Sequence, residues 1–389
     1  MSYSLSGDGL FADVLRYEGF GVHRFGSPGA DAALGWIADE LGKAGFAVER
    51  QAFSVARQYE CVSAALRVSG RDLAVVPQWW PPPAQASFRL TAPIVPAGPA
   101  TGCFVRLTLP YDRGAYLTAG HRLALEEAFA RDPAALLLDI DHPSGEIFTY
   151  NVDQSMPPWP CPVVLAAPRD RTTLDACAGD VTLAIDGRYR ESVPGHNVVG
   201  RLDRGTGRWF VVSTPVTSWF TSTCERGPGI AGFLATARLA AARFADVDLL
   251  FVATAGHEIG HGGMQHFLRA AAPAPDSTVV WAHFGATLAS HDMLLRVVAR
   301  SAPLEALTDR TFAAVDGTRL GGREAAVGEI RDVQGAGYPA FFGMAAVHRL
   351  FHTPADSASG TSAELLLPVV RAYVETLEAL RPGRALSGT

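Results

Sequence analysis

Two histidines and a glutamate stand together directly after a short apolar segment of the chain. Residues 249–263 read LLFVATAGHEIGHGG, so His257, Glu258 and His261 follow a segment of strand length. Taken alone, the spacing matches the H-E-x-x-H zinc motif, in which one helix carries both histidines on one face. The surrounding glycines disfavour a helix, by roughly 1 kcal/mol at each position. Three interpretations stay open: a zinc helix, a site on a turn at a strand end, and a turn whose histidines bond only the backbone.

Three other segments place polar side chains beside predicted strand or helix ends. Glu225 and Arg226 precede a long apolar helix, and His283 closes the segment Trp281-Ala282-His283. His352 lies in a loop before the last helix. Each has an ordinary alternative. Helix starts attract acidic side chains, which would make Glu225 and Arg226 a surface pair, and a lone histidine is often a core hydrogen-bonder.

Strands that alternate with helices after residue 196 predict the fold class. We expect strands at 197–202, 209–214, 248–254 and 278–283. We expect helices at 31–41, with Asp31 as its cap, and at 229–244, 264–272, 303–314 and 364–380. This alternation indicates an α/β fold with a mostly parallel central sheet covered by helices. Ligands of such sheets bind beyond the carboxyl ends of the strands, so the polar residues above should share one rim.

A β-rich segment interrupts this pattern and predicts a second domain. Between about 60 and 190, short apolar runs are separated by proline and glycine, and only 117–130 is clearly helical. We therefore expect a catalytic domain formed by residues 1–58 and 191–389, and an insert domain formed by residues 59–190. The insert contains no evident catalytic constellation.

The composition excludes several classes of function. The 389 residues carry a net charge of −6 and no basic run, so nucleic acid and anionic membranes are poor partners. No apolar run is long enough to span a membrane. The 5 cysteines are scattered without a C-x-x-C pair, which favours a reducing, cytoplasmic location over a disulfide framework.

The chain resembles the zinc aminopeptidase superfamily, which also contains glutaminyl cyclases and the transferrin-receptor ectodomain. The resemblance covers nearly the whole chain, and members with a protease-associated insert are the most similar. It rests on the segments GFAVERQAF near the start, HNVVG where the catalytic domain resumes, ATAGHEIG at the central strand, and AGYPAFF and FHTPADS near the end. It implies an aminopeptidase-like fold with a metal site.

The family's metal ligands match this chain only in part. The histidine and the aspartate of the family's H-x-D triplet fall on Pro215 and Thr217, so both are lost. The bridging aspartate falls on Glu225, the catalytic glutamate on His257, and a further aspartate ligand on His283. Two metal ligands are retained, Glu258 and His352.

The resemblance therefore implies one metal ion instead of two. Glu225, Glu258 and His352 would hold it, and His283 would join or replace Glu225. We expect zinc, with manganese or iron as alternatives. His257 and Glu225 would take the catalytic roles, and His257 is suited to proton transfer because an imidazole titrates near neutral pH. Four side chains are candidates for contacting the substrate: Trp219, Arg226, Trp281 and Tyr338.

Three functions are compatible with this site. The first is a zinc-dependent hydrolase of an amide or a small peptide-like substrate, active alone or as a homo-oligomer. The second is a cyclase or lyase on the same metal, suggested by the loss of the usual catalytic glutamate at His257. The third is a non-catalytic binding protein of the same fold, suggested by the lost ligands at Pro215 and Thr217. A Cys224 nucleophile is a weaker idea, because Glu225 beside it would raise the pKa of the thiol.

Overall fold

The computed structural model describes residues 4–78, 84–95, 100–151, 159–315, 318–319 and 326–382. The chain divides into two compact units. The first contains residues 1–53, 194–351 and 356–389, and the second contains residues 54–193 and 352–355.

Helices and strands are numbered in chain order. The helices are α1 (Gly7–Glu18), α2 (Pro28–Lys43), α3 (Ala119–Phe129), α4 (Arg171–Asp175), α5 (Thr223–Arg243), α6 (Gly262–Ala270), α7 (Ala302–Thr311), α8 (Glu329–Gly335) and α9 (Ala363–Ala379). The strands are β1 (Ala47–Val68), β2 (Arg71–Pro77), β3 (Phe88–Val95), β4 (Phe104–Leu109), β5 (Ala135–Ile140), β6 (Val163–Ala166), β7 (Asp180–Leu202), β8 (Trp209–Pro215), β9 (Asp248–Thr254), β10 (Thr278–Phe284), β11 (Leu294–Ala299), β12 (Thr318–Arg319) and β13 (Phe341–Val347).

The first unit contains the predicted mostly parallel sheet. Its strand order is β7-β9-β8-β10-β13-β11-β12. The four central strands β9, β8, β10 and β13 run parallel, while β7 and β11 pair antiparallel on either side. All seven residues of β9 are buried, as expected for a strand covered on both faces. The predicted fold class is confirmed.

The helices of the first unit begin at positions that partly differ from the predictions. Helix α2 is capped by Ser27, whose side chain accepts a hydrogen bond from the Ala30 N–H, and Pro28 occupies its first turn. Asp31 lies in the first turn and is not the cap, so that detail of the prediction was wrong. Helix α5 begins at Thr223, earlier than the predicted residue 229, and Pro228 lies inside it.

A cap from a distant part of the chain explains the early start of α5. The carboxylate of Asp356 accepts hydrogen bonds from the backbone N–H groups of Cys224, at 2.8 Å, and Glu225, at 3.1 Å. The first N–H groups of a helix have no hydrogen-bond partner within the helix. A carboxylate accepts hydrogen bonds from them, and its negative charge interacts favourably with the positive end of the helix dipole. Asp356 and Cys224 are 132 residues apart in the sequence, so the local sequence could not predict this contact.

The second unit is built on its own sheet. Its strand order is β1-β2-β6-β5-β4-β3-β7, with a parallel centre from β6 to β3 and antiparallel neighbours at both sides. Helices α3 and α4 belong to this unit. That the unit is a protease-associated domain stays a prediction. Across the described ranges of both units, no helix has the length and apolar character needed to cross a membrane.

Candidate functional site

The carboxyl ends of three parallel strands of the first unit bring polar side chains to one edge of the sheet. Thr217 follows β8, His257 and Glu258 follow β9, and His283 lies near the end of β10. Such an edge is where open α/β sheets bind their ligands, because loops diverge there. Glu225 and Arg226 reach the same place from the first turn of α5.

The segment after β9 is a turn and not a helix. His257–Ile259 forms a single 3-10 turn, Gly256 and Gly260 have left-handed backbone with φ of 75° and 85°, and α6 begins only at Gly262. A side chain at Gly263 would lie 2.3 Å from the Asn197 side chain, so that position requires glycine. The two histidines therefore do not share one helix face, and the zinc-helix interpretation of the motif does not apply.

Glu258 is buried and held by two short hydrogen bonds. Its Oε2 accepts a bond from the Thr217 hydroxyl, and its Oε1 accepts one from the Phe25 N–H, each at 2.6 Å. The Thr217 oxygen in turn accepts a bond from the Gly256 N–H at 2.7 Å. Burial raises the pKa of Glu258 to about 7, although both hydrogen bonds act in the opposite direction. Thr217, at the lost aspartate position, thus fixes the orientation of the retained glutamate.

Glu225 and Arg226 form a buried ion pair. Their side chains are 0% and 1% exposed, and Nη2 of Arg226 lies 2.8 Å from Oε1 of Glu225. Ser218 donates a hydrogen bond to the other carboxylate oxygen at 2.7 Å, and Nε of Arg226 donates to the Thr217 carbonyl at 3.1 Å. The surface-pair interpretation was wrong. The negative charge of Glu225 already has a cation beside it.

Two histidines are each held by a carboxylate of α8. Nδ1 of His257 lies 3.2 Å from Oε1 of Glu329, and Nδ1 of His261 lies 2.7 Å from Oδ2 of Asp332. The two imidazole rings are 4.7 Å apart. A carboxylate on Nδ1 keeps the proton there and leaves Nε2 with its lone pair, the pattern typical of metal-binding and proton-accepting histidines.

Glu329 and Asp332 were not among the site residues predicted from the sequence. They lie three positions apart on one face of α8, and this spacing was the available signal. Burial, followed by the positive charge of Arg226, lowers the pKa of His257 well below its usual value, so this imidazole is neutral at neutral pH. The His257 side chain is 12% exposed, while that of its partner Glu329 is fully buried.

His283 is a second neutral imidazole at this edge. Its Nδ1 lies 2.8 Å from the Ser213 hydroxyl, which also accepts a hydrogen bond from the Trp281 indole at 2.8 Å. Burial lowers the pKa of His283 to about 4. The charges of Glu329, His261 and Arg226 also influence this pKa, which places His283 in the same electrostatic neighbourhood.

The predicted substrate-contacting aromatic residues are buried. Trp281 and Tyr338 pack edge to face at 4.7 Å within the hydrophobic core of the first unit. The Tyr338 hydroxyl donates a hydrogen bond to the Pro273 carbonyl, and Trp219 is 3% exposed. These contacts account for Trp281 and Tyr338 as core residues. For these two residues and for Trp219, a role in substrate contact stays a prediction.

His352 belongs to the second unit. There its Nδ1 lies 3.0 Å from the Thr149 carbonyl oxygen, and its ring is 6.0 Å from that of Phe148. Its predicted role as a metal ligand stays a prediction.

The residues present do not fit the family's two-metal site. Pro215 offers no ligand, Thr217 is engaged with Glu258, and Glu225 is neutralised by Arg226. The first unit does offer donors for one ion: the imidazoles of His261 and His283, and the carboxylate of Glu258, whose oxygens keep free lone pairs. In the described part of the chain, only another trio, Cys224, His348 and Asp356, has ligand atoms that all lie within 4.8 Å of one another. One ion at the strand ends would therefore require these side chains to move closer together.

Comparison with solved structures identifies the fold. BSAP, a zinc aminopeptidase from Bacillus subtilis, superposes with a TM-score of 0.75 at 16% identity, covering 98% of this chain and 97% of that one. A peptidase M28 precursor from Shewanella amazonensis gives a TM-score of 0.73 at 15% identity, covering 97% and 93%. The Porphyromonas gingivalis glutaminyl cyclase gives 0.52 at 11% identity, covering 96% and 98%. No protein-family model and no curated protein sequence matches the chain. The resemblance seen in the sequence is thus confirmed at the level of the fold: this chain has the fold of the zinc aminopeptidases and glutaminyl cyclases.

Proposed function

We propose that the chain is a hydrolase that cleaves an amide bond in a small, peptide-like substrate and uses one zinc ion. The observation that carries the proposal is the pairing of His257 and His261 with two carboxylates of α8, at 3.2 Å and 2.7 Å. Such pairing fixes the tautomer of an imidazole, and a merely structural turn does not need two carboxylates, one fully buried and one 18% exposed, for this purpose. The aminopeptidase fold supports the choice of reaction by analogy alone.

Each donor has a defined role in this proposal. His261, His283 and Glu258 would hold the ion, because mixed nitrogen and oxygen donors suit zinc. A bound zinc ion would polarise the substrate carbonyl and lower the pKa of a water molecule. His257 would accept the proton of that water at Nε2, and Glu329 would keep the Nδ1 proton in place. His257 is suited to this role because its side chain is partly exposed, at 12%.

Arg226 would bind an oxygen of the substrate or of the developing tetrahedral group. Its Nη1 is buried and has no hydrogen-bond partner among the described residues, while Nη2 and Nε are engaged. A buried N–H without an acceptor is unfavourable by about 1–3 kcal/mol, which a ligand oxygen would recover. Glu225 would hold the guanidinium in position and would not contact the metal.

A test combines metal analysis with a substrate panel. Purified full-length protein should contain, by mass spectrometry, one more zinc per chain than its His261→Gln variant, and it should release amines from amino acid amides or arylamides. The panel should include peptides with N-terminal glutamine, so that cyclisation is detected instead if it is the true reaction. His261→Gln should lose that one ion and the activity. His291→Gln is the matched control, because His291 is exposed. Active protein that resists exhaustive chelation would contradict the proposal.

A second candidate function is a non-catalytic binding protein of the same fold. It is favoured by the Glu225–Arg226 pair, which places a guanidinium where the family's fold would use metal charge, and by the separation of the donors. Under this alternative, zinc-supplemented protein would contain no metal bound by His261, and none of the panel substrates would be turned over.

A further inference from the structure

A cysteine, a histidine and an aspartate of the first unit converge at the start of α5. The ligand atoms of Cys224, His348 and Asp356 all lie within 4.8 Å of one another, and all three residues are buried. Nε2 of His348 lies 3.4 Å from Oδ1 of Asp356. Three different donor types meeting inside a protein require either a network of protons or a shared cation.

The surroundings orient the three side chains toward one point. The Thr287 side-chain oxygen lies 3.1 Å from Nδ1 of His348, which turns Nε2 toward Cys224 and Asp356. That Nε2 is buried and makes no hydrogen bond of good geometry to the described residues. Asp356 is held by the N–H groups of Cys224 and Glu225 at 2.8 and 3.1 Å. These contacts orient Asp356 and His348 toward Cys224.

We propose that Cys224, His348 and Asp356 bind a thiophilic divalent metal ion of the zinc class as a structural site. A thiolate, an imidazole nitrogen and a carboxylate oxygen are all common zinc donors. The two anionic donors balance the charge of a divalent ion, so the buried site would carry no net charge. Neither the aminopeptidase fold nor the proposed reaction requires this ion.

The ion would anchor the start of α5. Cys224 is the second residue of that helix, and the next two residues are Glu225 and Arg226. Asp356 and His348 come from the chain on either side of residues 349–355, and Thr287, whose N–H donates to the Glu225 carbonyl at 2.7 Å, comes from the segment after β10. A metal at this point would link three segments of the first unit.

Protons are the competing occupants of the cluster. Burial raises the pKa of the Cys224 thiol. Burial also acts to lower the pKa of His348, but Asp356 and Cys224 outweigh it, so this pKa lies well above its usual value. In the metal-free state the cluster would therefore hold a thiol and an imidazolium, and a metal would displace both protons.

Cobalt substitution separates the two occupants and separates this site from the candidate active site. Cys224 is the only cysteine of the first unit, since Cys61, Cys103, Cys161 and Cys177 fall in residues 54–193. A thiolate-to-cobalt charge-transfer band in the near ultraviolet therefore reports on Cys224. We expect full-length protein produced with cobalt to show this band. Cys224→Ser should abolish it, and His348→Gln should weaken the cobalt binding that produces it.

Controls make each outcome decisive. Replacing Cys61, Cys103 and Cys177 with serine should leave the band unchanged, and so should His261→Gln, even if the proposed function is wrong. If Cys224→Ser does not fold, X-ray absorption of the zinc-loaded variant that carries those three replacements and retains Cys224 still counts the sulfur ligands. Cobalt-grown or zinc-loaded wild-type protein without a sulfur ligand would overturn the proposal. A band that persists in Cys224→Ser would overturn it as well.

Discussion

The hydroxyl of Thr217 donates a 2.6 Å hydrogen bond to Oε2 of Glu258, and the Thr217 hydroxyl oxygen itself accepts a hydrogen bond from the Gly256 N–H at 2.7 Å. Thr217 stands where the resembling family has an aspartate that orients a metal ligand. In this chain it orients a different residue, the one glutamate of the turn after β9. A substitution that looks like loss of a site in the sequence is therefore part of a rebuilt hydrogen-bond network in the structure.

Thr217→Val should destabilise the first unit by about 1–3 kcal/mol, because the isosteric change leaves the buried Glu258 oxygen and the Gly256 N–H without a partner. Denaturant unfolding measures the change. Thr172→Val is the control, since Thr172 is exposed on α4. Equal stability of the Thr217 variant and the wild type would show that water or a rearranged side chain replaces this bond.

Arg226→Met should cost about 3–5 kcal/mol of the free energy of unfolding, because it leaves the buried Glu225 carboxylate without its cation. The double variant with Glu225→Gln should recover much of that loss. The comparison is Arg57→Met, which breaks a pair with Glu191 at 3.1 Å whose side chains are 51% and 68% exposed; exposed pairs contribute about 0–1 kcal/mol. A loss as small as that of the exposed pair would mean that Glu225 is protonated or paired elsewhere.

His23 should make the stability of the first unit depend on pH. Its ring stacks on Tyr17 at 3.7 Å, and burial lowers its pKa from 6.5 to about 4. Between these two pH values His23 binds a proton in the unfolded chain and not in the folded chain. The contribution of His23 to the free energy of unfolding is therefore fully present above pH 6.5 and is lost as the pH drops toward 4. The upper limit is roughly 3 kcal/mol.

Other buried histidines titrate in the same pH range. The effect of His23 is therefore measured as the difference in free energy of unfolding between the wild type and a His23 variant. Unfolding curves of the wild type and of His23→Phe, which keeps a stacking ring, should converge as the pH falls. Parallel curves would show that His23 is solvated or protonated in the folded state.

Asp332→Asn should weaken zinc binding by about 10–100-fold, because the amide holds the Nδ1 proton of His261 less strongly than the carboxylate does. Competition with a chromophoric chelator measures the affinity. Asp309→Asn on α7, where the side chain is exposed, is the control. Unchanged affinity in Asp332→Asn would remove His261 from the ligand set.

The sequence predicted elements that depend on local patterns and failed where contacts are distant. Strand β9 has the predicted bounds, because a run of apolar residues is sufficient to define a buried strand. The first turn of α5 was missed, because Gly227, Pro228 and Gly229 argue against a helix and only the distant Asp356 stabilises it.

The candidate site shows the same division. Motif spacing brought His257 and Glu258 into the prediction, and a strand end brought His283. Glu329 and Asp332 were missed because they contact His257 and His261 from 72 and 71 residues away. The burial of Arg226 was also missed, since a charged residue at a helix start is usually solvated.

The most direct test of the proposed reaction measures zinc content and amide hydrolysis on one preparation of full-length protein, before and after chelation. We predict about one zinc at the candidate site, loss of hydrolysis on its removal, recovery when zinc is returned, and neither zinc nor recovery at that site in His261→Gln. Hydrolysis that survives complete removal of metal, or protein that takes up zinc normally in His261→Gln and cleaves nothing, would contradict the account.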